Sequence, residues 1–174
     1  MDLYKIITVP GPVLKETAQP VAKVDDAVRA QMDKMLRTMY EAPGIGLAAN
    51  QVGLLNRVLV MDISRRKEGE EPNPIFMANP KIVFESEEMS VMEEGCLSIP
   101  QQFAEVERPA KVAVEYLGYN GKKAVLETGE LLLSHCLQHE IDHLNGVLFI
   151  DYLSRLKRNM ILSKLDKLNK QQVL

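Results

Sequence analysis

The stretch ETGELLLSHCLQHEIDHLNG, Glu127 to Gly146, constrains this chain more than any other. Its apolar residues recur at helical spacing from about Gly129, and Gly146 supplies a C-terminal stop, so the pattern predicts a helix. His139 and His143 then lie one turn apart on one face, where both imidazoles can reach the same ion. Glu140, beside the first, can reach a water on that ion without being a ligand. An HExxH motif serves that division of labour: the ion acidifies a water, and the carboxylate takes the proton and later returns it to a leaving group. The competing reading is a chance match within a buried helix, and three fixed positions alone leave the two about even.

A third ligand has to come from elsewhere. His135 is one further turn back, but it is eight residues from His143, about 12 Å along a helix axis, whereas metal–nitrogen bonds are about 2 Å. A histidine so placed more often lines a neighbouring wall or satisfies a local hydrogen bond. The downstream solutions also fail: the third histidine of a metzincin would fall on Phe149, and no glutamate follows Glu140 for a thermolysin-like site. Upstream, EEGCLSIP offers Cys96. Such a cysteine is commonly a small buried apolar residue. The missing ligand raises the case for coordination, because a bound ion holds a thiol deprotonated. Cys136, three residues from His139, is better placed as pocket or core lining. In PGIGLAANQVG the glycines permit close backbone approach, and Gln51 brings an amide able to donate to an oxyanion. Tight packing of a loop explains the same glycines equally well, and no Lys-Ser/Thr follows them to make a phosphate loop.

The remaining segments predict a mixed architecture. DDAVRAQMDKMLRTMYEAPGIG reads as an amphipathic helix capped at Asp25 or Asp26, with Val28, Met32, Met35, Leu36, Met39 and Tyr40 on one side and a stop at Pro43-Gly44. RVLVMDI is a buried strand, SRRKEGEEPNP a charged surface loop, and IFMANP and KIVFESEE two further strands. KVAVEYLGYNGKKAVLETG predicts an antiparallel hairpin closed tightly at Asn120-Gly121. VLFID suggests a short strand. The last segment, from Tyr152, predicts a helix with Leu153, Leu156, Met160, Ile161, Leu165 and Leu168 along one side and Arg155, Arg158, Lys164 and Lys170 on a basic face.

A length of 174 residues suits a single domain, 1–174, and 26% charged against 46% apolar residues is an ordinary soluble composition. Two cysteines without a secretory pattern favour a reduced, intracellular chain over a disulfide, and no run of eighteen apolar residues predicts a membrane span. The net charge of −3 hides an asymmetry: Tyr152 to Leu174 carries +5 and the rest −8.

Taken in order, GIGLAANQ (Gly44 to Gln51), EGCLS (Glu94 to Ser98) and QHEIDH (Gln138 to His143) resemble the three signature motifs of peptide deformylases, and the likeness runs over nearly the whole chain. The resemblance implies an α+β fold in which antiparallel sheets surround a central helix carrying HExxH, with an N-terminal and a C-terminal helix. It implies Cys96, His139 and His143 as ligands of one ion, Fe²⁺ by preference, with Zn²⁺, Ni²⁺ or Co²⁺ able to substitute. It further implies Glu140 as general acid/base, with Gln51 and the backbone N–H of Leu97 holding the oxyanion. The substrate so implied is the N-formylmethionyl nascent peptide, laid as an added strand along Gly44, Ile45, Gly46 and Gly95. Its methionine pocket would draw on Ile45, Met92, Phe103, Leu132, His135 and Cys136. His135 and Phe103 depart from the residues usual at those places. A cytoplasmic location and docking of the basic C-terminal helix near the ribosomal exit tunnel complete the expectation, with neither DNA nor membrane as partner.

Overall fold

The computed structural model describes residues 2–64 and 69–173 and shows an α+β fold. Helix α1 (Asp26–Glu41) starts where Asp25 accepts a hydrogen bond from the Val28 N–H at 2.9 Å, and it buries Val28, Met32, Met35 and Met39. Five strands form one antiparallel sheet in the order β1 (Gly46–Ala48), β2 (Val58–Met61), β3 (Ile75–Glu85), β6 (Val112–Leu117), β7 (Lys123–Glu127). The strands β4 (Met89–Cys96) and β5 (Ile99–Pro109) pair with each other in a separate two-stranded sheet. Helix α2 (Leu131–Leu144) carries both motif histidines, and α3 (Arg155–Val173) follows it.

Alternation along β2 explains the layering. Val58 and Val60 pack with Met32, Met35 and Met39 of α1, while Leu59 and Met61 pack with Leu137, Ile141 and Leu144 of α2. Successive strand residues point to opposite faces, so a strand apolar at every position must be covered on both. The two-stranded sheet closes a third cluster, in which Ile99 and Val106 meet Leu148, Phe149 and Ile150, with Ile161 and Leu165 of α3.

Four local expectations are corrected. IFMANP and KIVFESEE form the single strand β3, which absorbs Asn79-Pro80 as a bulge: Asn79 adopts φ 50°, and the register shifts between Ala78 and Lys81. The β6–β7 hairpin forms, but its loop spans Gly118–Lys122 and only Gly121 takes a positive φ, so the turn is wider than an Asn-Gly pair. VLFID is no strand. Phe149–Tyr152 make a 3-10 turn, because the Asp151 carboxylate caps the Leu148 N–H at 2.9 Å. On α3 the buried stripe narrows to Ile161 and Leu165, and Leu156 and Met160 are 72% and 51% exposed. Within the charged loop, 65–68 lie outside the described residues, and 69–74 run without regular structure. No helix among the described residues is long and apolar enough to cross a membrane.

Candidate metal centre

Helix α2 is seated by Leu137, Ile141 and Leu144 against the five-stranded sheet, and its other face meets the β4–β5 sheet. That contact brings Cys96, at the end of β4, to the two motif histidines. The ligand atoms of Cys96, His139 and His143 all lie within 4.8 Å of one another. His143 Nε2 stands 3.3 Å from Cys96 Sγ and 3.2 Å from His139 Nε2. Neither Cys96 nor Cys136 is in a disulfide among the described residues. His135 is outside the cluster, as the eight-residue spacing requires.

The site is polar and largely buried. Burial pushes Glu140 up to about 7, even though the His139 charge pulls the other way. One Glu140 oxygen, Oε1, is buried with no hydrogen-bond partner among the described residues. Burial also opposes a charge on His139, but its contacts with Cys96, Glu140 and Glu94 outweigh that, so its pKa rises well above the ordinary value. His143 is driven well below it, by burial first and then by the charges of His139 and Arg108. Two nitrogens and a sulfur that converge so closely form a donor set that suits a divalent cation such as Zn²⁺ or Fe²⁺.

Behind these three side chains lies a network that the sequence reading missed. Each oxygen of Glu94 accepts one hydrogen bond from Arg108 and one from a histidine. Oε1 takes Arg108 Nη2 at 2.9 Å and His139 Nδ1 at 2.9 Å, and Oε2 takes Arg108 Nε at 2.7 Å and His135 Nδ1 at 3.0 Å. Burial alone would raise the Glu94 pKa, but hydrogen bonds from His139 and Arg108, with the Arg108 charge, lower it to about 2. Arg108 continues to Asp142 at 2.8 Å, and Asp142 accepts the Tyr152 hydroxyl at 2.7 Å. The signals were present: Glu94 opens the cysteine motif, and Asp142 is the fourth letter of HEIDH. With Nδ1–H directed to a carboxylate, His139 presents the Nε2 lone pair to the shared point.

A cavity of about 610 Å³ opens above this centre. Its lining contains Gly44, Ile45, Gly46, Gln51, Met92, Gly95, Cys96, Leu97, Phe103, Leu132, His135, Cys136, His139 and Glu140, so of the expected site residues only His143 lies outside the wall. Gln51 is buried, and its amide orientation is fixed because Oε1 accepts the Ala48 N–H at 3.0 Å. Nε2 therefore points to Ser98 Oγ at 3.1 Å and Cys96 Sγ at 3.5 Å. Gly46 leaves room for the acid: a Cβ there would stand 2.5 Å from Glu140 Oε2. Phe103 is 64% exposed, at the rim above Gly95 rather than inside a closed pocket. His135 is 2% exposed, and both its nitrogens are engaged, Nδ1 by Glu94 and Nε2 by Ser90 Oγ at 2.8 Å.

Comparisons with known proteins cover nearly the whole chain. The polypeptide deformylase family profile matches residues 3–159. A peptide deformylase of Rhizobium meliloti is 55% identical over 167 residues, covering 96% of this chain and 94% of that protein. The crystal structure of peptide deformylase from Ehrlichia chaffeensis superposes with a TM-score of 0.93 at 39% identity, covering 99% of this chain and 100% of the other. A second structure from that organism, in complex with actinonin, gives 0.89 at 44% identity over 96% and 98% of the two chains. With the motifs, the fold and full-length relatives in agreement, this chain belongs to the polypeptide deformylase family.

Proposed function

We propose that this chain, acting as one catalytic unit, hydrolyses the N-formyl group of formylmethionyl nascent peptides to give formate and a free amine. The observation that carries the reading is the convergence of Cys96 Sγ, His139 Nε2 and His143 Nε2 beneath a cavity, next to a buried carboxylate with one oxygen unpartnered among the described residues. A divalent ion held by those three atoms, Fe²⁺ in our assignment with Zn²⁺, Ni²⁺ or Co²⁺ as substitutes, would acidify a water and polarise the formyl carbonyl.

The chain's own groups account for the remaining steps. Glu140 takes the proton of the attacking water and delivers it to the peptide nitrogen as the formyl C–N bond breaks. Its raised pKa suits a group that must hold a proton and then release it. Gln51 Nε2–H, aimed past Cys96, and the Leu97 N–H donate to the oxyanion. The backbone of Gly44, Ile45, Gly46 and Gly95 receives the peptide as an extended strand. Ile45, Met92, Leu132 and Cys136 receive the methionine side chain, with Phe103 at the rim. His135 joins this apolar wall despite its polarity, because its nitrogens are already satisfied and ring carbon is what remains to offer.

The substrate implies a cytoplasmic setting beside the ribosome, and the exposed Arg155 and Lys164 of α3 support docking on its phosphate-rich surface. Formate release from formyl-Met-Ala-Ser, measured anaerobically for Fe²⁺, Ni²⁺ and Zn²⁺ forms, tests the reading. Cleavage of internal peptide bonds without formate would replace it with a metallopeptidase.

A further inference from the structure

We propose that His135 is a positioning residue for the metal centre, acting through Glu94 on His139. The inference rests on the Cys96/His139/His143 reading and extends it by one layer.

Glu94 is a carboxylate whose hydrogen-bonding capacity is fully used, with two bonds from Arg108 and one from each histidine. Arg108 grips both oxygens, and the two histidines approach one oxygen each. The result is a balanced arrangement in which His135 on Oε2 opposes His139 on Oε1. Without the His135 bond, Oε2 keeps only Arg108, and the carboxylate can turn towards the guanidinium and away from His139. The His139 ring would then lose the constraint that fixes its tautomer and tilt. His135 is itself held from behind by Ser90 Oγ on β4 at 2.8 Å, so its ring has little freedom to swing.

The same ring forms part of the cavity wall. A substrate side chain resting on it touches a group only two hydrogen bonds from a metal ligand. His135 therefore couples side-chain fit to ligand geometry, and an apolar residue of equal size would provide a wall without that coupling.

The test compares His135→Leu, which keeps the bulk and removes the donor, with His135→Asn, whose Nδ2–H falls near the position of the imidazole Nδ1–H. Zn²⁺-loaded proteins are mixed with excess chelating dye, and the rate of ion release is followed. We expect release about 10-fold faster for His135→Leu and within about 2-fold of the parent for His135→Asn, the lower end of the effect of removing an outer partner. Equal release rates for the two variants, both fast or both parental, overturn the proposal. A parent chain that takes up no Zn²⁺ overturns the metal-centre reading together with it. Should His135→Leu fail to fold, long-range ¹H–¹⁵N NMR of the Zn²⁺-loaded parent decides: a proton on His135 Nδ1 supports the arrangement, and a bare Nδ1 overturns it.

Discussion

Gly46→Ala should abolish most turnover while removing no functional group. The new methyl would stand 2.5 Å from Glu140 Oε2 and 2.8 Å from its Cδ and Cγ. Ordinary contact begins at 3.4 Å, so one partner has to retreat by about 0.9 Å. Strand β1 is poorly placed to give way, since Leu47 and Ala48 are fully buried between the α1 and α2 layers. Glu140 is the group that moves, and a misplacement of about 1 Å at a reacting group costs about 10²-fold in rate. The measurement is kcat for formate release at matched metal content, with thermal unfolding followed in parallel. Gly44→Ala is the comparison: its Cβ meets the terminal Cδ1 of Leu97 at 2.7 Å, a flexible methyl that can rotate away, so its loss should be only several-fold. Turnover of Gly46→Ala within about 3-fold of the parent, equivalent to about 0.7 kcal/mol of activation free energy, would refute the claim that close backbone approach sets the acid's position.

Glu140→Gln should retain metal and lose about 10²-fold or more in kcat, since an amide cannot accept the water's proton; elemental analysis with steady-state rates checks both halves. Glu94 has its folded pKa lowered from 4.5 to about 2, so its contribution of about 3 kcal/mol is present above the unfolded value and fades as pH falls from about 4.5 to about 2. Urea unfolding of metal-free parent and Glu94→Gln across that window should show a steep loss for the parent and a shallow one for the variant; parallel curves would contradict it. Arg155→Glu combined with Lys164→Glu should keep formate release from a tripeptide and weaken salt-dependent co-sedimentation with ribosomes. These substitutions are a better probe than removing α3 from Lys157 onward, because Ile161 and Leu165 are buried and their loss would open the core.

The elements legible in the sequence were those with a strong local signal. Asp25 and the methionine stripe specified α1, alternation specified β6 and β7, and the run from Leu131 specified α2. The failures have tertiary causes. Asn79-Pro80 reads as a break because Pro lacks an N–H and Asn favours turns. The chain continues as a strand because Asn79 pairs with the Val21 backbone, donating to its carbonyl at 2.8 Å and accepting its N–H at 2.8 Å. Leu156 and Met160 fit a helical stripe, but α3 is held mainly through Ile161 and Leu165, and the spacing cannot say how much of a stripe finds a partner. Two of the motifs marked Cys96, His139 and His143, the side chains that the fold brings together. They could not reveal that Arg108 joins Glu94 and Asp142, residues 14 and 34 positions away, because only the folded chain brings those charges together.

The proposed ligands come from two bodies that share no strand pairing among the described residues: Cys96 from the β4–β5 sheet, and both histidines from the helix packed on the larger sheet. Arg108–Asp142 and Glu94–His139 cross the same seam. An ion there would serve as a fastener as well as a reagent. By thermodynamic linkage, free energy gained in binding an assembled site stabilises the assembly by the same amount. Stripping the ion should therefore loosen one sheet against the other before either unfolds, and amide exchange should quicken first along β4 and β5. Metal supply in such an architecture would govern mechanical integrity along with reactivity, and damage to a single thiol would release both at once.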